Sequence, residues 1–319
     1  MMSDVQQPTR STDGDPLPTL IRALRSSALV ERLRAAKALG RLGWLAREAT
    51  PALITALNDE DAKVRESAAH AIGQMGPESL PTLSGMLGHR DKYVRRNAVW
   101  ALGKLGPLSR SALSTLCAAL RDSDPRTASG AAQAIGNMGA DGADAVAALA
   151  DAMRGTNIVL CRLAAKALSQ IGPPSLATLI AHLQHSDPFV RGESALAIGW
   201  MGALGRSAVP FLVQIVRGPR TSLTRTPPPI TPLPGRASVT EDNSIDDEIE
   251  ASNAPTPTQS LPTDGTPEEN CRIHAAQALG RIGPSASHAL DDLHEAARTG
   301  HDALRRTAQQ SIKQILGTA

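Results

Sequence analysis

Aromatic residues are nearly missing from this chain, with two Phe, one Tyr and three Trp among 319 residues. A β-sandwich or an α/β enzyme of that length uses aromatic and β-branched side chains to fill its sheets, so the shortage argues against both. Cysteine is scarce too. Cys117, Cys161 and Cys271 form no CxxC and no metal-spaced pair. Each stands where other stretches of the chain use a small or apolar residue, which implies inert thiols and no disulfide framework. No apolar run approaches the roughly 20 residues of a membrane span, and the polar stretch 1–15 lacks a signal-peptide core. Charge of one sign is also lacking. The 33 basic and 31 acidic residues leave +2, which by itself points to neither nucleic acid nor an anionic membrane. A cytoplasmic protein built from tightly packed, Ala- and Leu-rich helices is the expectation.

What is present is a sentence that repeats. It reads RLRAAKALGRLG at 32–43, RESAAHAIGQMG at 65–76, RRNAVWALGKLG at 95–106, RGESALAIGWMG at 191–202 and RIHAAQALGRIG at 272–283. Copies at 128–139 and 161–172 lack the leading Arg, and a fading one closes the series at 305–316. The first Gly of each copy, with Ser169 in its place once, steps by 33, 30, 33, 33 and 30 residues, then by 81. Each unit is predicted to be two helices, A then B, with the repeated sentence on helix B. Asp61, Asp91, Asp124 and Asp187 stand four residues before the Arg column as N-caps, with Pro125 and Pro188 in the N1 slot. Gly, often followed by Pro, ends helix B. A Gly inside helix B costs about 1 kcal/mol relative to Ala, so its recurrence predicts a neighbouring helix too close for a side chain. One hairpin cannot bury its apolar face alone, whereas a stack of eight can.

These residues resemble the HEAT-repeat class of phycobilisome-lyase type, over nearly all of the chain outside 1–15 and 218–269. The resemblance implies an all-α fold, an α-solenoid of about eight helical hairpins. It is almost silent on function, because phycobilin lyase subunits, deoxyhypusine hydroxylase and many scaffolds share it. It also implies a buried polar ladder of turn Asp and helix-B Arg, with structural roles for Asp61–Arg65, Asp91–Arg95 and Asp187–Arg191, broken at Ala128 and Cys161.

The expected organisation is a disordered N-terminus at 1–15, repeats over 16–217, an insertion at 218–269 and repeats over 270–319. The insertion holds ten of the 23 Pro, many Ser and Thr, and no apolar period, so it is predicted to be disordered. Arg220, Arg225 and Arg236 precede an acidic run of Glu241, Asp242, Asp246, Asp247, Glu248 and Glu250.

Helix B lines the concave side of a HEAT stack, and its outward stripe should fall one, five and nine residues after the Arg column. Eight of those 24 positions are Lys or Arg, and one, Glu66, is acidic. The basic ones are Lys37, Arg41, Arg96, Lys104, Arg162, Lys166, Arg281 and Arg306, and Trp100 and Trp200 join them. The helix macrodipole accounts for cations in a last turn, such as Arg41, Lys104 and Arg281. It leaves Lys37, Arg96, Arg162, Lys166 and Arg306 to an ordinary solvated face or to a groove for an acidic ligand. The expected partner is a protein with an acidic segment, the chain's own Glu241–Glu250 run included. Nucleic acid is the lesser expectation, and no membrane is expected.

No catalytic residue, metal or cofactor is expected. Deoxyhypusine hydroxylase-like proteins use His-Glu pairs just after the helix-B Arg, and the matching pairs Glu66-Ser67, Arg96-Asn97, Gly192-Glu193 and Ile273-His274 are not His-Glu. His288, Asp291 and Glu295 share a helical face, for which a solvated surface is the ordinary outcome. HEAT-like alkylpurine DNA glycosylases also need an acidic catalytic residue, and Glu66, the one acid on the stripe, has nothing else to mark it. A non-enzymatic interaction scaffold is the leading reading, with a lyase-like enzyme subunit or a nucleic-acid-binding protein as the alternative.

Overall fold

The computed structural model describes residues 16–218 and 266–318, and no strand occurs among them. Helix A and helix B alternate through eight pairs. They are α1 (Pro16–Ala23) with α2 (Leu29–Leu42), α3 (Thr50–Ala56) with α4 (Ala62–Gln74), α5 (Leu80–Met86) with α6 (Lys92–Leu105), and α7 (Leu113–Ala119) with α8 (Pro125–Asn137). Then follow α9 (Val146–Met153) with α10 (Ile158–Ile171), α11 (Pro173–His182) with α12 (Pro188–Trp200), α13 (Val209–Arg217) with α14 (Pro267–Ile282), and α15 (Leu290–Thr299) with α16 (Asp302–Leu316). This is an all-α solenoid fold. The chain divides into two compact units, 1–116 and 117–319. In the first, α2, α4 and α6 pack in succession; in the second, α8, α10, α12, α14 and α16 do so.

Local chemistry sets the helix boundaries. Asp61 accepts from the Lys63 and Val64 amides, Asp91 from Tyr93, Asp124 from Thr127 and Asp187 from Phe189. Each relieves amides that a helix start leaves unpaired. At the far end the closing Gly turns the chain: Gly76 and Gly172 have φ of 93° and 81°, a region that a side chain disfavours. Most helix-B copies then run into a short 3-10 segment before the next helix A, as at Gly43–Ala49 and Gly202–Ala208.

The interior Gly marks a close helix approach, as its cost predicted. A Cβ on Gly199 of α12 would lie 2.9 Å from the Ala278 Cα of α14. One on Gly136 of α8 would lie 3.0 Å from the Ala167 Cα of α10, and one on Gly40 of α2 would lie 3.3 Å from the Ala71 Cα of α4. Gly and Ala are therefore the seam along which successive B helices pack. In α16 that outer face turns polar: Gln309 and Lys313 replace the Ala and Gly of other copies, and both are exposed.

The Arg column does its structural work through backbone carbonyls. Arg65 Nη1 donates to Asp59 O at 2.7 Å and Glu60 O at 3.0 Å. Arg95 does the same to His89 O and Arg90 O, and Arg191 to His185 O and Ser186 O. Asp61 meanwhile serves the amides of its own helix, so the two columns close opposite sides of one turn. Arg65, Arg95 and Arg191 are half-buried, where a buried ladder was expected. Cys161, expected to break the column, keeps half of the pattern, because its Sγ reaches Gly155 O at 3.3 Å, six residues back as in the Arg copies. Ion pairs join neighbouring repeats: Arg32 holds Asp59 at 2.8 Å, and Arg191 pairs with Glu268.

The insertion leaves after α13 and returns into α14, and these two helices pack as one hairpin, with Arg272 Nε donating to Val216 O at 3.0 Å. Helix α14 begins three residues before the expected 270. Thr266 and Glu269 form a reciprocal capping box, and Pro267 takes the N1 slot, so 266–269 belong to the helix and not to the insertion. Stretches 1–15 and 219–265, with their expected disorder and the Glu241–Glu250 run, lie outside the described residues.

Candidate functional site

The stripe along the B helices forms one candidate face in each unit. In the first unit, positions five after the Arg column meet across helices. His70 of α4 and Trp100 of α6 have ring centroids 5.6 Å apart, tilted by 41°. Lys104, one turn on, places its Nζ 5.2 Å from the Trp100 ring centroid. Trp100, Arg96 and Lys104 are half-buried, while Lys37 and Arg41 of α2 are exposed. Exposed Tyr93, two residues before the column, gathers three cations that the sequence reading did not connect. Arg65 lies 4.8 Å from its ring centroid, Arg96 5.2 Å and Lys92 5.3 Å.

In the second unit the stripe carries Arg162 and Lys166 on α10, Trp200 on α12, Arg281 on α14 and Arg306 on α16. Arg306, Arg162 and Trp200 are exposed, and Lys166 and Arg281 are half-buried. Arg162 is matched by an acid that the stripe did not include: Glu193 of α12, almost fully buried, takes its Nε at 3.3 Å. Arg281 is held between solvent and core. Its Nη1 is buried without a hydrogen bond, and burial lowers its pKa. Close by in sequence, His274 packs against Gly192, where a Cβ would lie 2.9 Å from the His274 Nδ1. Burial first, then Arg162 and Arg281, push the His274 pKa down to about 4, although the Gly192 backbone works the other way.

Three stripe positions do not face outward. Ser129, Gly192 and Ile273 are buried, because the position just after the Arg column turns under the next helix where that helix approaches closely. Lys37, Arg41, Lys166 and Arg306 take part in no ion pair with any described residue. Among the described residues no cluster of His, Cys, Asp or Glu is placed to hold a metal, His288, Asp291 and Glu295 included. Cys161 and Cys271 are buried, and burial raises the Cys271 thiol to about 11. Among the described residues no helix is long and apolar enough to cross a membrane.

Residues 17–90, 80–160 and 150–227 match the family model described as HEAT repeats. No curated protein matches the chain in sequence. Among solved structures it is similar to the CpcE–CpcF complex of phycocyanin lyase from a Nostoc species, at 20% identity and TM-score 0.39, covering 92% of this chain and 99% of that one. It is similar to YibA of Escherichia coli at 14% identity and TM-score 0.49, covering 94% and 92%. It is also similar to human deoxyhypusine hydroxylase in complex with glycerol, at 18% identity and TM-score 0.36, covering 94% and 96%. The repeat matches span more than half of the chain and fall on the hairpins whose caps, turn Arg and Gly–Ala seams recur, so the chain belongs to the HEAT-repeat family.

Proposed function

We propose that this protein is a non-enzymatic scaffold that binds protein partners through acidic segments docked on the helix-B face of each unit. One observation carries the reading: Lys37, Lys166 and Arg306, none of them in a last helical turn, lie on those faces without a carboxylate from the described residues. Cations left unpaired on a surface raise the encounter rate with an acidic ligand and favour its register more than they add raw affinity. Trp100 and Trp200 supply the flat apolar area that interface anchors use.

The test is affinity capture from native extract by the full chain and by a Lys37→Glu/Arg41→Glu/Lys166→Glu/Arg306→Glu variant with unchanged circular dichroism. Partners are identified by mass spectrometry and then rebound in purified form. The reading expects an acidic partner that rebinds wild type directly and loses the variant. Identical capture by both proteins refutes it. Nucleic acid as the partner, with the steep salt dependence of phosphate binding, would replace the protein ligand in this reading.

A further inference from the structure

On α6 the helix-B face is continuous. Lys92, Arg96, Trp100 and Lys104 stand four residues apart and form one stripe about 18 Å long at 1.5 Å per residue. Every member is cationic or aromatic. Lys104 lies in the last helical turn, where the macrodipole favours a cation. Lys92 is the first helical residue and Arg96 the fifth, so the same dipole opposes the one and does nothing for the other. Helix electrostatics therefore does not explain the stripe.

Tyr93 supplies what the dipole does not. It is 43% exposed, and the cations of Arg65, Lys92 and Arg96 all lie within 5.3 Å of its ring centroid. A ring has two faces, so at least two of these cations share one and repel each other. Arg65 is fixed from behind by its bonds to Asp59 O and Glu60 O. Neither Arg65 nor Lys92 has a carboxylate partner among the described residues. Two turns further on, the Trp100 ring has Lys104 and His70 beside it. Two rings thus gather cations along a strip, which favours the approach of an anionic ligand.

We infer that this strip of α6, propped by Tyr93 and Trp100, is the place where a carboxylate-rich peptide of the partner docks; the inference rests on the acidic-partner reading above. An extended peptide rises about 3.3 Å per residue, so five or six residues match the strip. Every second side chain of such a peptide points back at the helix. The rings act as supports for the cations, so the Tyr93 ring matters and its hydroxyl does not.

The experiment is fluorescence anisotropy of labelled hexaglutamate against the full chain at low salt. It compares wild type with Tyr93→Leu, Tyr93→Phe, Lys92→Gln and the fourfold Glu variant described above, each checked by circular dichroism. Tyr93 and Lys92 are exposed, so their variants keep the fold. Tyr93→Leu and Lys92→Gln each weaken binding about three-fold, the size of one exposed cation–π or charge contact, while Tyr93→Phe binds as wild type does. If the fourfold variant loses hexaglutamate but Tyr93→Leu and Lys92→Gln do not, the strip is wrong and the broader reading survives. If wild type fails to bind hexaglutamate at all, both fail. Displacement of the peptide by inorganic phosphate at equal anion concentration overturns the strip in favour of a single-anion site. Tighter binding of a single-stranded oligonucleotide than of hexaglutamate, lost in Tyr93→Leu, overturns the choice of partner.

Discussion

His274 makes the second unit sensitive to mild acid. Its ring is buried against Gly192 of α12, and its pKa falls to about 4 through burial and then through Arg162 and Arg281, against the opposing pull of the Gly192 backbone. In the unfolded chain the ring titrates near 6.5. The folded state therefore resists a proton that the unfolded state accepts. The contribution to stability is full above about pH 6.5 and is lost as pH falls from there towards 4, below which it is flat. At about 1.4 kcal/mol per unit the whole difference is about 3 kcal/mol, of which about 2 kcal/mol is lost by pH 5. For a unit of this size that corresponds to roughly 4–8 °C in Tm. The assay is urea unfolding of wild type and His274→Leu at pH 7.5 and pH 5. All other titrating groups are common to both proteins and cancel in the double difference. His274→Leu should be close to neutral at pH 7.5, because it replaces a buried neutral ring with an apolar side chain of similar volume. It should also lack the about 2 kcal/mol acid penalty. Equal pH dependence in the two proteins, or an NMR titration of the ring near 6.5, refutes the reasoning.

The helix seams and caps give sharper local tests. Gly199→Ala drives a Cβ to 2.9 Å from the Ala278 Cα and should cost about 1–3 kcal/mol in urea unfolding. Gly85→Ala in α5 meets nothing within 4 Å and should stabilise by about 0.5–1 kcal/mol, so similar effects at the two sites would discredit the seam. Thr266→Ala removes the capping box of α14 and should cost about 1 kcal/mol, with faster hydrogen exchange confined to the first turn of that helix. Protection that is unchanged there would mean that tertiary contacts, not the cap, hold the start of α14.

The repeat grammar was legible because it is made of local chemistry. Asp61, Asp91, Asp124 and Asp187 cap the helices they were expected to cap, since an N-cap needs only its own backbone within three residues. The interior Gly was legible because its cost demanded a reason, and Ala278 over Gly199 is that reason. What one strand of sequence does not encode is which residue of the next repeat a side chain meets. Arg65 was paired with Asp61 by family resemblance, whereas it ties two turn carbonyls that carry no sequence signal. Glu193 lies one position off the stripe and still reaches Arg162. Gly192 and Ile273 are buried because α12 and α14 approach closely, a relation set by two helices 80 residues apart in the chain. Tyr93 carries no sequence signal for a similar reason. As one exposed aromatic it says little, and its weight comes from Arg65, which a different helix brings to its ring.

The same division indicates where selection for binding can show itself. On each B helix the Ala and Gly positions are fixed by the seam, and the Arg and Asp columns are fixed by the turns. Only the remaining stripe is free to vary without unfolding the stack. A cation there is informative where the backbone field works against it and uninformative where the field favours it. By that measure Arg41, Lys104 and Arg281, all in last turns, say little. Arg162 says less than its charge suggests, because it already pairs with buried Glu193. Lys92 opposes the dipole at the first residue of α6, beside a tyrosine ring that already carries two guanidinium groups. Arg65 in that group is held by its turn, so Lys92 is the member that neither the turn nor the local field places. The only Tyr of the chain stands beside it. This is why the strip on α6, rather than the stripe as a whole, is the place to look for the partner.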